Sequence, residues 1–461
     1  MHIRTWCYAV LCLSLPITLP AQKEHKYLDH ALPEAWQEND SDFQQTLPVD
    51  DQWWKNFNDP TLDSLIEVAV KQNYSVLMAA DRIAMAKANL RIQQGSYSPT
   101  LGLAAGWTRQ QSSGHTSNLP QTITQYSDAA LSMNWEIDVF GSIRNRVKAQ
   151  KENFAASKED SLCAQVASAY INLRELQQEM EVVKKNCLSQ QAVVKITEKR
   201  YETGLVSKLD VAQALSVYYD TKASLPMLEA GIIQYTNALG VLMGLYPWDV
   251  REIMETRKPL PEYIETIGIG IPANLLLRRP DIRAAERLVN ARAASLGASK
   301  SDWWPKVFVK GSVGFASHDL DKLVNHNSLT YEIAPAISWN FFQGTKLAQV
   351  TRLAKAQLDE SIRQFNQDVL TAVQEVDNAM NSYKNSIKQI VALREVVNQG
   401  KQTLELSLDL YKQGLTPFQN VLDAQRSLLS YENELTQARG SSLLSLIQLY
   451  QALGGGWEIE N

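Results

Sequence analysis

Apolar positions along this 461-residue chain follow two periods, and the periods change at recurring places. Leu162, Val166, Ala169, Leu173, Leu176, Met180 and Val183 step by fours and threes, the seam of a coiled-coil helix. Ile362, Phe365, Val369, Ala372, Val376, Ala379 and Tyr383 repeat that stepping in the second half. Gly141 to Thr203 and Gly344 to Gln413 contain no proline, so each stretch predicts a very long helix, roughly 90 Å or more at about 1.5 Å per residue. Elsewhere the period is two. Ala129, Leu131, Met133, Trp135 and Ile137 oppose Ala130, Ser132, Asn134, Glu136 and Asp138. Tyr331, Ile333, Pro335, Ile337, Trp339 and Phe341 oppose Glu332, Ala334, Ala336, Ser338 and Asn340. Val307 to Phe315 alternates likewise, and Leu101, Leu103, Ala105 and Trp107 form a weaker fourth case. Alternation over about ten residues with terminal aromatics is the pattern of membrane barrel strands, whereas one such run alone also suits a half-buried soluble sheet.

The two patterns occur in the same order twice. Asn73 to Leu103 is a worn copy of Leu275 to Val309: Pro99 aligns with Pro305, Tyr97 with Trp303 and Leu90 with Leu296. Tyr201-Glu-Thr-Gly-Leu205 returns as Tyr411-Lys-Gln-Gly-Leu415, and Ala238-Leu-Gly240 as Ala452-Leu-Gly454. Two long copies are too few for a solenoid and point to one folded unit with internal pseudo-symmetry. The expected organisation is a signal peptide at 1–21, an N-terminal arm at 22–60, repeat 1 at 61–244, a linker at 245–272, repeat 2 at 273–455 and a tail at 456–461. Repeat 1 holds strands near 98–110 and 124–139 and a helical hairpin near 141–243. Repeat 2 holds strands near 304–316 and 329–342 and a hairpin near 344–453. Pro226 is expected to bend the first return helix.

Composition narrows the class. Net charge is −5 and pI about 5.8, with no basic excess that suggests nucleic acid. His2 and Arg4 precede an apolar run from Trp6 to Leu19, and Leu19-Pro-Ala21 reads as a cleavage site, which places the mature chain outside the cytoplasm. Neither Cys7 nor Cys12 follows a small residue, so no lipid-attachment signal is evident. Cys163 and Cys187, roughly 36 Å apart along one helix, cannot bridge.

Four strands in lipid carry a consequence. A bilayer tolerates no open sheet edge, and four strands are too few to close a barrel, so several copies must pool their strands. Glu136, Asp138, Lys310 and Glu332, in the polar phase, would line a wet lumen.

The motifs resemble the TolC-like outer membrane factors of the branch serving resistance–nodulation–division (RND) efflux pumps, the OprM/NodT type. The matching residues are Trp53-Trp54 with Phe57, Asp59-Pro60 and Leu65; Trp135-Glu-Ile-Asp-Val-Phe-Gly141; Leu225-Pro-Met-Leu-Glu229; Arg278-Arg-Pro-Asp-Ile282 with Ala285-Glu286; and Val421-Leu-Asp-Ala-Gln-Arg426. They span residues 50–455. The resemblance implies an α+β membrane protein: a homotrimer whose subunits each give four strands to a twelve-stranded β-barrel in outer-membrane lipid and helical hairpins to a periplasmic α-barrel. It implies a passive exit duct completed by a periplasmic adaptor and an inner-membrane RND transporter. Many members of this branch are lipidated at a cysteine that this chain lacks.

Two sets of site residues follow. Gly204, Leu205 and Ser207 form one hairpin tip and Gly414, Leu415 and Thr416 the other. The glycines stop helices, and Ser207 or Thr416 lies near the next N-cap. The resemblance adds that the leucines dock the adaptor. Asp423 and Arg426 share a helix face just past the second tip, and the resemblance implies that they constrict the periplasmic mouth. Gln419 stands one turn earlier, where the family is often apolar. No catalytic, cofactor or metal site is expected: His115, His318 and His326 fall in or beside loops without ligand spacing, and Gly268-Ile-Gly270 lacks a phosphate-loop pattern. Alternatives are the outer-membrane channel of a type I protein secretion system, a soluble periplasmic coiled-coil scaffold, and a periplasmic hydrolase.

Overall fold

The computed structural model describes residues 49–113, 122–156, 162–254, 258–263 and 267–455, with parts of 27–47 and residue 115. The expected signal peptide and the tail at 456–461 lie outside the described residues.

Helix α1 (Pro60–Gln72) starts at Asp59, whose carboxylate accepts from the Thr61 N–H at 3.0 Å. Helix α2 (Tyr74–Gly95) starts at Asn73, which accepts from Ser75 and Val76. Strands β1 (Thr100–Gln111) and β2 (Ile123–Ile137) follow, then α3 (Ser142–Ala156) and α4 (Leu162–Glu202). The return limb is α5 (Lys208–Ala223) and α6 (Leu225–Leu242), and α7 (Pro247–Met254) opens the linker. The second half repeats the order with α8 (Pro280–Ser301), β3 (Lys306–Ser317), β4 (Leu329–Ser338), α9 (Lys346–Lys412) and α10 (Phe418–Ala452). Pro226 interrupts the return limb more sharply than a bend. α5 ends at Ala223, and the proline occupies the first turn of a new helix, where no N–H is missed.

The heptad seams are buried. Val166, Leu173, Met180 and Val183 on α4, and Phe365, Val369, Ala372 and Val376 on α9, are at most 5% exposed. All but Met180 and Val183, which cluster separately with Leu228, join a core at the waist of the chain that also takes Trp53, Phe57, Leu62, Ile66, Ile267, Ile269 and Tyr450. Trp53 stacks on Tyr450 with centroids 5.3 Å apart, and the Tyr263 and Tyr450 hydroxyls lie 2.6 Å apart. Arg279 is a knot within the second half. Its guanidinium reaches Glu375 at 2.6 Å, Asp281 at 2.7 Å and the Ala452 carbonyl at 3.2 Å, while Arg278 pairs with Asp51.

The four strands form one antiparallel sheet in the order β1-β2-β3-β4. The central pairing, β2 with β3, unites the two halves of the chain. β1 and β4 are open edges. β4 stops at Ser338 rather than near 342. Beyond it the Trp339 indole turns to donate to the Trp303 carbonyl at 3.1 Å.

Candidate functional site

Sheet register decides which side chains share a surface. Asn134 sits opposite Lys310, Glu136 opposite Phe308, and Ser312 opposite Glu332. Directly paired residues point to one side, so Glu136, Lys310 and Glu332 lie on one face with Thr100, Ser132, Asn134 and Ser312. The other face carries Leu101, Leu103, Trp107, Leu131, Val313, Tyr331, Ile333 and Ile337, all between 43% and 81% exposed in a single chain. A sheet with one polar face and one bare apolar face fits water on one side and hydrocarbon on the other.

Asp138 departs from the expected lumen set. β2 ends at Ile137, and the Asp138 carboxylate turns back to accept from the N–H groups of Ile143 (3.0 Å) and Arg144 (2.7 Å), capping α3. Two N–H bonds at a helix start outcompete the alternation of the strand, because those donors have no other partner.

Both hairpin tips are built alike. Gly204 and Gly414 adopt φ of +74° and +75°, a conformation that costs other L-residues about 1–2 kcal/mol. The Leu205 N–H donates to the Arg200 carbonyl and Gly204 to Tyr201; Leu415 donates to Leu410 and Gly414 to Tyr411. These paired bonds are the Schellman closure of a helix end. The leucine after each glycine is left outside, at 66% and 70% exposed. Ser207 is the N-cap position of α5, and its hydroxyl bonds Asp210 at 3.2 Å. Thr416 accepts from the Asn420 amide at 2.7 Å, and Pro417 takes the cap position of α10. The tips are tied to each other by Arg200, which donates to the Lys412 carbonyl at 2.6 Å and lies 5.0 Å over the Tyr411 ring. Sequence reading missed Arg200, since nothing local marks a contact across 212 residues.

Gln419, Asp423 and Arg426 lie on one exposed face of α10. Gln419 donates to Asp423 at 3.0 Å. Asp423 and Arg426 form no ion pair within the described chain, which leaves both groups open to whatever lies across from them. Asp423 also borders a groove of about 820 Å³ between α9 and α10, beside Glu395, Gln399 and Asn420.

The seam between the two hairpins, α4 against α10, carries polar groups among its apolar contacts. Asn186 donates to Glu432 at 2.7 Å, and Gln190, 2% exposed, leaves both amide atoms without a hydrogen bond. Higher up, the Glu175 carboxylate fills a notch at Gly440, where a Cβ would fall 1.9 Å from Oε2. Burial, and then the neighbouring Glu179 charge, push the Glu175 carboxyl up to about 7. Burial raises Glu179 as well. At the waist the opposite holds: burial raises Asp59, but hydrogen bonds from Tyr170 and the Thr61 N–H, with Lys258 at 3.3 Å, outweigh it and hold the carboxyl below its usual range. Sequence reading singled out neither Glu175 nor Gly440, because a helical glycine signals a notch only when its neighbour is known.

Among the described residues the histidines form no metal-binding cluster: the His318 ring meets the Gln125 carbonyl at 2.7 Å, and the His115 N–H meets Ser113. Cys163 and Cys187 are unpaired, and burial pushes the Cys163 thiol up to about 11.

Comparison with known proteins agrees with this geometry. The family model for outer membrane efflux protein matches residues 65–245 and 271–455. The chain is 31% identical over 419 residues to the solvent efflux pump outer membrane protein SrpC of Pseudomonas putida, covering 87% of each chain. It is 28% identical over 469 residues to the pyoverdine export outer membrane protein OpmQ of the same species, covering 98% of each. Among solved structures it superposes on the outer-membrane channel OprN with a TM-score of 0.87 at 28% identity, covering 93% of this chain and 98% of that one. VceC of Vibrio cholerae gives 0.83 at 27%, covering 89% of this chain and 100% of that one. The chain belongs to the outer membrane efflux protein family and is an outer-membrane efflux channel.

Proposed function

We propose that three copies of this chain form one continuous duct, with a twelve-stranded barrel in the outer membrane and a helical tube below it in the periplasm. The observation that carries this reading is the sheet: four strands, one polar face, one bare apolar face and two open edges. Unpaired backbone groups at an edge in lipid cost several kcal/mol each, and three sheets joined edge to edge remove every edge. Glu136, Lys310 and Glu332 then face the water column, and solute crosses by diffusion. Work is done by an inner-membrane RND transporter, reached through a periplasmic adaptor. The relatives named for solvent and toluene efflux support small organic molecules as the cargo. No chemical step and no cofactor is assigned to the chain.

Leu205 and Leu415, raised outside their Schellman turns, are the adaptor's contact points. Gln419, Asp423 and Arg426, with Asp423 and Arg426 forming no ion pair to each other, constrict the periplasmic mouth against the equivalent groups of two other subunits. The test is reconstitution. The purified protein should run as a trimer in detergent and open ion-conducting pores in planar bilayers; a stable monomer that conducts nothing overturns the proposal.

A further inference from the structure

We propose that a basic, tryptophan-lined groove on the outer wall of the tube, directly beneath the barrel, binds the phosphate headgroup of an anionic phospholipid. This rests on the orientation proposed above, which sets the first turns of α3 and α9 at the level of the inner-leaflet headgroups. The groove runs between α8 and α9, encloses about 400 Å³, and presents Lys300, Trp303, Arg352 and Lys355. A second hollow of about 530 Å³ continues it upward through Lys300, Trp303, Trp304 and Trp339.

The geometry separates this groove from the lumen. Trp339 continues the outward phase of Tyr331, Ile333 and Ile337, so the upper hollow opens onto the lipid-facing side. Lys306, Ser338, Asn340, Lys346 and Val350 line another hollow on the opposite, polar side of the same junction, and Trp304 borders both. The tryptophans are fixed in place. The Trp303 indole donates to Thr351 at 3.0 Å, and the Trp339 indole to the Trp303 carbonyl at 3.1 Å. The cations are unspent: Lys300, Arg352 and Lys355 are exposed and have neither an ion-pair nor a hydrogen-bond partner among the described residues. Asp359 is the one acid on the groove wall.

Charge distribution points the same way. Residues 346–355 hold no acid, and their Arg352 and Lys355 face the groove while Lys346 faces the polar hollow, in a chain of net charge −5. A positive belt under an aromatic girdle matches a phosphodiester, which offers two anionic oxygens to a guanidinium fork and an ammonium. The acyl chains would then lie along Trp339, Ile337 and Ile333. A zwitterionic headgroup brings its own cation against the same three charges, so the site favours phosphatidylglycerol or cardiolipin.

The test uses the full trimer in phosphatidylcholine vesicles doped with acyl-brominated lipid, reading tryptophan quenching. Brominated phosphatidylglycerol should quench more than the same fraction of brominated phosphatidylcholine. Each neutralised cation should lower that preference by up to about fivefold. Lys300→Gln with Arg352→Gln and Lys355→Gln should therefore abolish the excess while bilayer conductance persists, and the charge-preserving set Lys300→Arg, Arg352→Lys and Lys355→Arg should retain it. Equal quenching by both lipids in the unaltered protein overturns the proposal, as does an excess that survives the glutamine substitutions. Relief of the excess by millimolar inorganic phosphate would mark a free-anion site and overturns it too. Conductance, measured on the same preparations, reports separately on the channel itself.

Discussion

Glu175 in its notch at Gly440 predicts a pH dependence whose sign and size follow from the geometry. The ordinary glutamate carboxyl titrates near 4.5 and this one is raised to about 7. The folded chain therefore holds this proton more tightly than the unfolded chain does. Its contribution to stability is complete below about 4.5 and is lost as pH rises through about 7. A shift of that size in a fully enclosed group would correspond to roughly 3 kcal/mol. The side chain is only half-buried, so water screens part of the effect and about 1–2 kcal/mol per subunit is expected. Thermal unfolding of the detergent-solubilised protein from pH 5 to pH 8.5 reads this directly. Glu175→Gln cannot ionise, so it should match the unaltered protein at the acidic end and exceed its stability by about 1–2 kcal/mol per subunit at the alkaline end. Gly440→Ala approaches the same contact from the other side. Its Cβ would sit 1.9 Å from Oε2, so the carboxylate must swing out into water, where its raised pKa and the associated pH slope vanish. Net stability of that variant combines a helix-propensity gain of up to about 1 kcal/mol with lost packing, so the slope, not the midpoint, is the measure. If either substitution leaves the slope of the unaltered protein intact, Glu175 is not the titrating group and the notch has been misread.

Four further outcomes are expected. Asp423→Ala with Arg426→Ala should raise single-channel conductance, and an unchanged conductance would remove these residues from the mouth. Gly204→Arg with Gly414→Arg should cost about 1–2 kcal/mol at each turn, from the positive φ, and should reduce adaptor cross-linking and efflux; undiminished cross-linking would show that the tips are not the contact. Asp138→Ala should cost about 1 kcal/mol of thermal stability through the lost α3 cap without altering ion selectivity, whereas Glu136→Gln with Glu332→Gln should lower cation preference. A selectivity change in the Asp138 variant alone would return that residue to the lumen. Trp135→Phe and Trp339→Phe keep the ring but remove indole bonds to the Tyr97 and Trp303 carbonyls. Each should cost about 0.5–1.5 kcal/mol, visible as a lower unfolding midpoint, and an unmoved midpoint would make both bonds incidental.

What the sequence determined by itself was everything that repeats locally. The two heptad seams, the alternating strands and the glycine stops are periods of 3.5 and 2 with a backbone that only glycine enters freely, and each is written in a few consecutive residues. Family motifs such as Arg278-Arg-Pro-Asp-Ile282 also stood out, although not for the reason the fold gives: Arg279 ties α8 to Glu375 and to the carbonyl end of α10. The tertiary structure decided what meets across the chain. It chose β2 with β3 as the central pair, which no hairpin signal encodes because 168 residues separate Ile137 from Lys306. It turned Asp138 from a strand position into a helix cap, since unpartnered N–H groups compete more strongly for a carboxylate than alternation does. It placed Glu175 against Gly440 and Arg200 against the opposite tip, and it gathered Lys300, Arg352 and Lys355 beneath three tryptophans. A periodic pattern fixes which side of a helix or strand is apolar. Only packing fixes which neighbour that side faces, and the perturbed and unpaired groups arise from that choice.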